Sequence, residues 1–300
     1  MKKLIVLSVI MAVTLLTWGS VAPAHAQDSA KDDKPTFYRL TPGVYVNGWP
    51  RCTVRYPKEW VERFPEANLV FRVSAPGPGP LRSFAVADSG SSPLPLDRWA
   101  DWVVAMFRRL ATDVTVLSDK PSRLHDGTPA QEVEIRAVVN GAPLYNTSLA
   151  TKKGDLLITM AIESTEGRIG EDLKAILYSI EFEPDKDKPV KVPPDAQELL
   201  DRHCSASVAH DVAKVMSHYS DGFLNSGMRK GEVERFHRQI IGFITSCEIV
   251  ITDFVPAADR AYLAGFVSLG SGRRVMLREI SIIKENGEWK WYGNQRDSAR

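Results

Sequence analysis

His237 is the residue whose type and position best fit proton-transfer chemistry. It shares the apolar face of a predicted helix with Val233, Phe236, Ile240 and Ile244. A histidine at the wall of a pocket could act as a general base near neutral pH. More often such a histidine belongs to the core or its rim, and neither G-x-S-x-G nor a phosphate-binding glycine loop accompanies it. We therefore predict that the protein is not an enzyme and keep catalysis as the alternative.

Three further histidines, His203, His210 and His218, raise the question of a metal site. His203 and His210 share a helix face, but their spacing separates them by about 10 Å along the helix axis, which is too far for one ion. This face lies opposite the apolar arc of the predicted helix, so we expect it to be solvated. The sequence predicts no metal and no cofactor.

Cys204 and Cys247 are the candidate disulfide. Cys204 points inward from a predicted helix, and Cys247 opens a predicted strand. A bond between them would stabilise the fold by roughly 3–5 kcal/mol on chain-entropy grounds. The alternative is a pair of buried thiols that act as small apolar side chains. Cys52 lies on the apolar face of its strand and is predicted to be a core thiol.

The first 26 residues have the order of a secretory signal peptide. Lys2 and Lys3 precede the apolar run Leu4–Trp18, and Ala24-His-Ala26 provides a processing site. We expect cleavage after Ala26, a periplasmic or secreted product, and no stable membrane span after cleavage. Removing the two lysines changes the formal net charge from +1 to −1, which does not suggest nucleic-acid binding.

The remaining chain is predicted to form two domains joined by a linker. Residues 27–35 are polar and are expected to be disordered. Residues 184–194 are rich in proline and charge, which prevents a helix or a central strand and favours an extended linker. The predicted domains are therefore 36–183 and 195–300.

Residues 36–183 predict an α/β sandwich of strands with two helices. An amphipathic helix over 97–111, capped by Asp97, lies between the strands, and a second helix follows over 170–179. Val54-Arg-Tyr-Pro-Lys-Glu-Trp60, Gly127-Thr-Pro-Ala-Gln-Glu132 and Tyr178-Ser-Ile-Glu-Phe182 resemble the PsbP/Mog1-like fold. Most of that family is non-catalytic and binds proteins or ions, which is what the resemblance implies here.

Residues 195–300 predict a long helix capped by Asp195, a second helix over 230–244 and then antiparallel strands. The apolar arc of the long helix contains Cys204, Val208, Val212, Val215 and Tyr219. The stretches 216–223 (MSHYSDGF), 260–265 (RAYLAG) and 282–295 (IIKENGEWKWYGNQ) resemble the NTF2-like superfamily, which includes ketosteroid isomerases and SnoaL-type cyclases. The predicted class is α+β, with an NTF2-like cone of helices on a curved antiparallel sheet.

The NTF2-like resemblance implies a pocket between the helices and the sheet. The candidate lining residues are Tyr219, Phe236, His237, Asp253, Trp289 and Trp291. A lyase or isomerase would use Asp253, His237 and Tyr219, because such chemistry needs a carboxylate to move the proton and a buried donor to hold the enolate. Our main expectation is an exported binding protein for a small apolar or amphipathic ligand, a protein partner or a second copy of itself. An envelope or secretion chaperone is a further alternative.

Overall fold

The structure is a computed structural model, and it describes residues 41–62, 69–77, 82–92, 94–154, 156–225, 227–270, 273–277 and 280–296. The predicted signal peptide and the predicted disordered start lie outside the described residues. The described chain divides into two compact units. Unit 1 consists of residues 56–180, and unit 2 combines residues 41–55 with residues 181–296.

These units divide the chain differently from the predicted domains. Residues 41–55, assigned from the sequence to the N-terminal domain, belong to unit 2, and so does the predicted linker over 184–194. In that segment Val190 N donates to Ile251 O at 2.9 Å, and the Val192 side chain is buried. Its prolines restrict backbone hydrogen bonding but do not prevent valines from packing on the neighbouring core.

Antiparallel strands and short helices form both units. Unit 2 begins with the hairpin β1 (Val44–Asn47) and β2 (Cys52–Arg55). Unit 1 follows with β3 (Val61–Glu62), β4 (Leu69–Ser74), β5 (Arg82–Ser91), α1 (Leu96–Leu110), β6 (Thr112–Arg123), β7 (Pro129–Val139), β8 (Ala142–Lys153), β9 (Leu156–Ser164) and α2 (Glu171–Tyr178). Unit 2 continues with β10 (Glu181–Phe182), a 3-10 turn (Pro184–Asp187), α3 (Pro194–Val208), α4 (Val212–Ser217), β11 (Leu224–Asn225), β12 (Met228–Arg229), α5 (Lys230–Ile240), a 3-10 turn (Ile241–Phe243), β13 (Cys247–Pro256), β14 (Arg260–Leu269), β15 (Arg273–Met276), β16 (Ile280–Glu285) and β17 (Glu288–Trp291).

Unit 1 is a seven-stranded antiparallel sheet in the order β3-β4-β5-β9-β8-β7-β6 with helices packed on it. The apolar stripe of α1, formed by Trp99, Val103 and Phe107, packs against Val133 and Ile135 of β7. Because successive strand residues point to opposite faces, Glu134 between Val133 and Ile135 faces away from α1. The chain is therefore a mixed α+β protein, and in unit 1 the apolar core lies between α1 and one face of this sheet.

Neither of the two aspartates predicted to cap a helix does so. The N-cap of α1 is Pro95 and that of α3 is Pro193, and each aspartate lies in the first turn instead. There Asp97 and Asp195 still interact favourably with the helix dipole. Asp195 also forms an ion pair with Lys284, at 2.8 Å between Oδ2 and Nζ. The cap predictions are wrong because each helix begins one residue before its aspartate.

Unit 2 packs its helices against one face of the sheet β13-β14-β16-β17, in which β15 also pairs with β14. We call this the inner face. Cys204 of α3 and Cys247 of β13 form a disulfide with their Cα atoms 5.1 Å apart, which confirms the predicted pair. Cys52 is a buried thiol outside that bond. The core between helices and sheet includes Leu199, Val215, Phe223, Val233, Ile251, Leu263, Ile282 and Trp291.

The long helix predicted from 195 onwards is two helices, α3 and α4. The chain leaves the helical path at His210, whose φ is +59°, and the Asp211 side chain then caps α4 by accepting from Lys214 N at 2.9 Å. The second predicted helix also ends early, because α5 stops at Ile240 and tightens into a 3-10 turn. No helix of the described residues is both long and apolar enough to cross a membrane.

A bulge in β13 changes which face its residues occupy. Ile251 pairs with Gly265 and Asp253 pairs with Ala264, so Thr252 is the extra residue. Ile251 therefore faces the inner core, whereas Asp253 faces the opposite side of the sheet, which we call the outer face. The backbones of β13 and β14 approach each other closely here, since a Cβ on Gly265 would lie 2.0 Å from Val250 O. Only glycine fits that position of β14.

Candidate functional site

Five ring side chains meet inside unit 2 and form what we call the histidine cluster. They come from α3, the end of α4, α5 and β17. The ring centroid of His203 lies 5.9 Å from that of His218, 6.0 Å from His237, 5.7 Å from Tyr219 and 5.6 Å from Trp291. All five side chains are buried. Segments that are distant in sequence thus converge on His203.

His203 is held in one neutral form. Trp291 donates its indole Nε1–H to His203 Nδ1 at 3.1 Å. A ring nitrogen that accepts a hydrogen bond carries no proton, so the imidazole proton lies on Nε2. Burial lowers the pKa of His203 to about 3, and the neighbouring His237 and His218 lower it further. The centre of the cluster is therefore uncharged at neutral pH.

Tyr219 and His237 form a second neutral pair beside it. Tyr219 Oη and His237 Nε2 lie 3.2 Å apart. Burial raises the pKa of the Tyr219 hydroxyl and lowers the pKa of His237. The other ring nitrogen, His237 Nδ1, is buried and has no hydrogen-bond partner among the residues described. One polar atom of this pair is thus left unsatisfied by the protein.

His218, whose ring also lies beside His203, contains another such atom. Its Nδ1 is buried, and nothing in the described part of the chain hydrogen-bonds to it. Burial lowers the pKa of His218, and the cations of Arg202, Lys214 and Lys290 lower it further. Within the described residues, no three or more His, Cys, Asp or Glu side chains are arranged to hold a metal ion. The cluster is better suited to hydrogen bonding a neutral group.

The solvated face predicted for the histidines is wrong for His203 and His218. The apolar arc was drawn along one continuous helix, whereas α3 ends at Val208, which is 41% exposed. The residues that α3 actually buries include Leu199, Leu200 and His203, which repeat with helical spacing. Only His210 lies at the surface, where its Nε2 is 3.0 Å from Ile244 O. His203 and Cys204 are both buried on α3, so they do not lie on opposite faces of the helix.

The structure separates Asp253 from the other two catalytic candidates. Asp253 lies on the outer face and forms an ion pair with Arg51, at 3.6 Å between Oδ2 and Nη2. Tyr219 and His237 lie on the inner side, within the core that packs against the helices. A carboxylate on the opposite side of the sheet cannot exchange a proton with a group bound at His237.

The aromatic candidates are also divided. Trp291 is 3% exposed and belongs to the histidine cluster, and Trp289 is partly buried against the same core. Phe236 lies beside His237 on α5 but is 52% exposed, so the predicted burial of Phe236 is wrong. Phe236 was placed on the apolar face because it follows Val233 by three residues, whereas the buried residues of α5 are Val233 and His237.

Unit 1 contains a buried polar network that the sequence analysis missed. Glu134 accepts from Lys174 Nζ and, at 2.8 Å, from Arg168 Nε. Burial alone would raise the pKa of Glu134, but these two hydrogen bonds bring it below its usual value. Lys174 also donates to Glu171 at 3.1 Å. The carboxylate is thus fully paired under α2.

Glu132 continues the network two residues earlier on β7. Its carboxylate accepts from the Tyr178 hydroxyl, and Lys120 Nζ lies 3.1 Å from Oε1. Ser122 Oγ is 2.9 Å from the Tyr178 hydroxyl. Burial and Glu132 raise the pKa of Tyr178 to about 12. The alternation Glu132-Val-Glu134 opposite α2 was the signal that could have revealed these contacts, since both carboxylates share one face of β7.

Comparisons with known proteins give partial structural likenesses only. No family model and no curated protein matches the chain. Cyanobacterial PsbP (CyanoP) from Synechocystis is similar at 15% identity and a TM-score of 0.36, over 48% of this chain and 95% of that chain. A designed protein of the Rd1NTF2 series is similar at 15% identity and a TM-score of 0.29, over 33% and 92%. A structure from Bacteroides thetaiotaomicron covers 84% of this chain and 89% of its own, at 9% identity and a TM-score of 0.35.

Proposed function

We propose that this chain is an exported, non-catalytic binding protein whose unit 2 takes up a small, mainly apolar ligand at the histidine cluster. In this proposal unit 1 has a PsbP/Mog1-like fold and unit 2 has an NTF2-like fold, as the sequence resemblances imply. The observation that carries the proposal is the buried, unsatisfied Nδ1 atom of His237. A buried polar atom without a partner costs about 1–3 kcal/mol, and a ligand that pairs with it would remove that cost.

The electrostatics of the cluster define the class of ligand. His203 and the pair of Tyr219 and His237 are neutral, and the core around them contains apolar side chains such as Phe223 and Val233. A charged group placed here would lose its hydration without gaining a counter-charge. The ligand we expect is therefore neutral, with one hydrogen-bonding group directed at His237 and an apolar body beside the rings.

Native mass spectrometry of the mature protein, purified without reducing agent from its own host, tests this function. We expect a copurifying small molecule with the wild type and its loss with His237→Phe, which keeps a ring but removes both nitrogens. His125→Phe, at an exposed position of unit 1, is the matched control and should retain the ligand. A ligand-free wild type, together with a His237→Phe variant more stable than the wild type, would show that the unsatisfied nitrogen is only a structural cost.

The rival function is a lyase or isomerase using Asp253, His237 and Tyr219. The separation of Asp253 from the other two residues by the sheet supports the binding function over this one. An Asp253→Asn variant distinguishes them, because it should leave ligand retention at His237 unchanged in a binding protein. Loss of turnover of the copurified compound in that variant would instead support the enzyme.

A further inference from the structure

We propose that residues 41–55, which we call the cap segment, occupy the outer face of the unit 2 sheet in place of a second copy of this chain. The outer face is apolar along β13 and β14, where Tyr262 and Ala264 are buried together with the partly buried Val255 and Ala257. A sheet face of this composition requires cover from water. The protein supplies that cover from its own chain.

Three side chains of the cap segment contact the outer face directly. Val46 packs on the cluster of Tyr262 and Ala264. The ring of Trp49 lies 4.3 Å from that of Phe266, and Trp49 is only 4% exposed. Arg51 forms its ion pair with Asp253 at 3.6 Å. The cap segment therefore matches the face in both its apolar and its charged positions.

The cap segment is held in its shape by bonds that do not involve the outer face. Tyr45 donates its hydroxyl to Asn47 Oδ1 at 2.7 Å, and Asn47 Nδ2 donates to Pro50 O at 2.8 Å. Arg51 N donates to Asp187 Oδ1 at 2.6 Å, and β2 also pairs with β10. The hairpin is thus preformed, and changes at Trp49 or Arg51 would weaken its contact with the face without removing the hairpin itself.

The size and charge of the outer face fit a second copy once the cap is weakened. Strands β13 and β14 have ten residues each, but β15, β16 and β17 have only four to six, so the face covers roughly 500 Å² before side-chain relief. A standard interface buries about 800 Å² per partner, so a face of this size fits a weak, concentration-dependent pair. Asp253 and Arg274 both lie on this side, Arg274 being 5.1 Å from the Phe266 ring. A two-fold pairing would bring each carboxylate towards the other copy's guanidinium.

Sedimentation velocity of the mature chain over a wide concentration range tests the proposal. We expect the wild type to sediment as a monomer and the double variant Trp49→Ala/Arg51→Gln to double its sedimenting mass as concentration rises. Adding Phe266→Lys to the double variant should return it to a monomer, because it places a cation in the exposed face. Arg55→Gln, at the solvent-exposed end of the same hairpin, is the matched control and should remain monomeric.

A double variant that keeps its far-ultraviolet circular dichroism and its disulfide but stays monomeric would overturn the proposal. So would a wild-type dimer that Phe266→Lys abolishes, because the face would then be open despite the cap. If the double variant loses its fold, Trp49→Ala alone decides the question by the same measurement, since it uncovers the Phe266 ring and keeps the ion pair of Arg51 with Asp253.

Discussion

His203 is buried beside neighbours that cannot neutralise a positive charge. The ionisable groups against its ring are Tyr219, whose pKa burial raises, and His218 and His237, whose pKa values are lowered. The unfolded chain binds a proton at His203 below about pH 6.5, whereas the folded chain does so only near pH 3. Its contribution to stability is therefore complete above pH 6.5 and is lost as the pH falls towards 3.

The resulting prediction concerns acid stability. For the wild type we expect the free energy of unfolding to fall by up to about 1.4 kcal/mol per pH unit on account of His203 between pH 6.5 and pH 3. His203→Asn keeps an acceptor for the Trp291 indole but does not titrate, so its decline should be shallower by that amount. Urea unfolding at several pH values measures both slopes, with exposed His125→Asn as the control. Equal slopes in wild type and His203→Asn would contradict the assignment.

The sequence identified single residues of the cluster but not its centre. His237 and Trp291 were predicted from alternation and helical spacing, and both join the cluster. His203 was missed because the apolar arc was drawn through α3 and α4 as one helix, and sequence spacing does not reveal the positive φ of His210 that separates them. The location of Asp253 was missed for the same kind of reason, since one extra residue in β13 moves it to the other face.

At the scale of elements, the close approach of the β13 and β14 backbones depends on Gly265. Its φ is +154°, and an added Cβ would lie 2.0 Å from Val250 O. The bulge in β13 therefore depends on glycine at position 265 of β14. The bulge in turn places Asp253 on the outer face.

Gly265→Ala should destabilise unit 2 by about 3 kcal/mol, because the backbone must move to relieve the contact. Thermal unfolding followed by circular dichroism measures the loss. Gly231→Ala is the matched control, since a Cβ there meets nothing within 4 Å, and it should unfold no earlier than the wild type. A Gly265→Ala variant as stable as the control would show that the bulge can be rearranged.

A second element-scale prediction concerns the attachment of α2 in unit 1. Glu134→Gln keeps the shape of the side chain but leaves the buried Lys174 with only Glu171 as its partner. Removing one partner of a buried ion pair costs about 3–5 kcal/mol, and we expect a loss near 3 kcal/mol in urea unfolding. Asp101→Asn breaks the exposed pair with Arg98 and should change stability by less than about 0.5 kcal/mol. Equal effects of the two substitutions would contradict the role of burial.

Elements with strong local signals were predictable. The stripe of α1 gave its position within one residue at each end, and Asn140-Gly141 connects β7 to β8 with φ values of +52° and +80°. The paired glutamates of β7 were not predictable, because their partners Lys174 and Tyr178 lie 40 and 46 residues away in sequence. Local periodicity reports which face a residue occupies but not what lies against that face.

At the scale of the whole molecule, unit 1 is inserted between two neighbouring strands of unit 2. Thr53 of β2 pairs with Glu181 of β10, and the side chains of Arg55 and Glu181 are 4.0 Å apart. The chain leaves unit 2 at Arg55 and returns at Glu181, so the two ends of unit 1 start from adjacent backbone positions. The boundary predicted from the proline-rich segment missed this because composition does not record strand pairing.

We therefore expect that residues 56–180 can be replaced by a short glycine-rich turn with unit 2 still folded. The retained Cys204–Cys247 disulfide and a cooperative unfolding transition would be the readout. The comparison is a fragment of residues 184–300, which follows the sequence-predicted boundary and lacks the cap segment. It should unfold at a lower midpoint, because it lacks β2 and the Trp49 ring, which pack within unit 2. Cooperative unfolding of this fragment at the same midpoint would contradict the division into these units.

The insertion of unit 1 also determines the order in which parts of unit 2 are synthesised and can pair. The cap segment leaves the ribosome before any of unit 1, yet Cys52 must wait for Phe182, its strand partner, which is made 130 residues later. A contact between residues so far apart closes slowly from an open coil. If unit 1 folds first, it draws Arg55 and Glu181 together and turns that long search into a short one. Folding of unit 1 would then bring β2 and β10 together and allow unit 2 to fold.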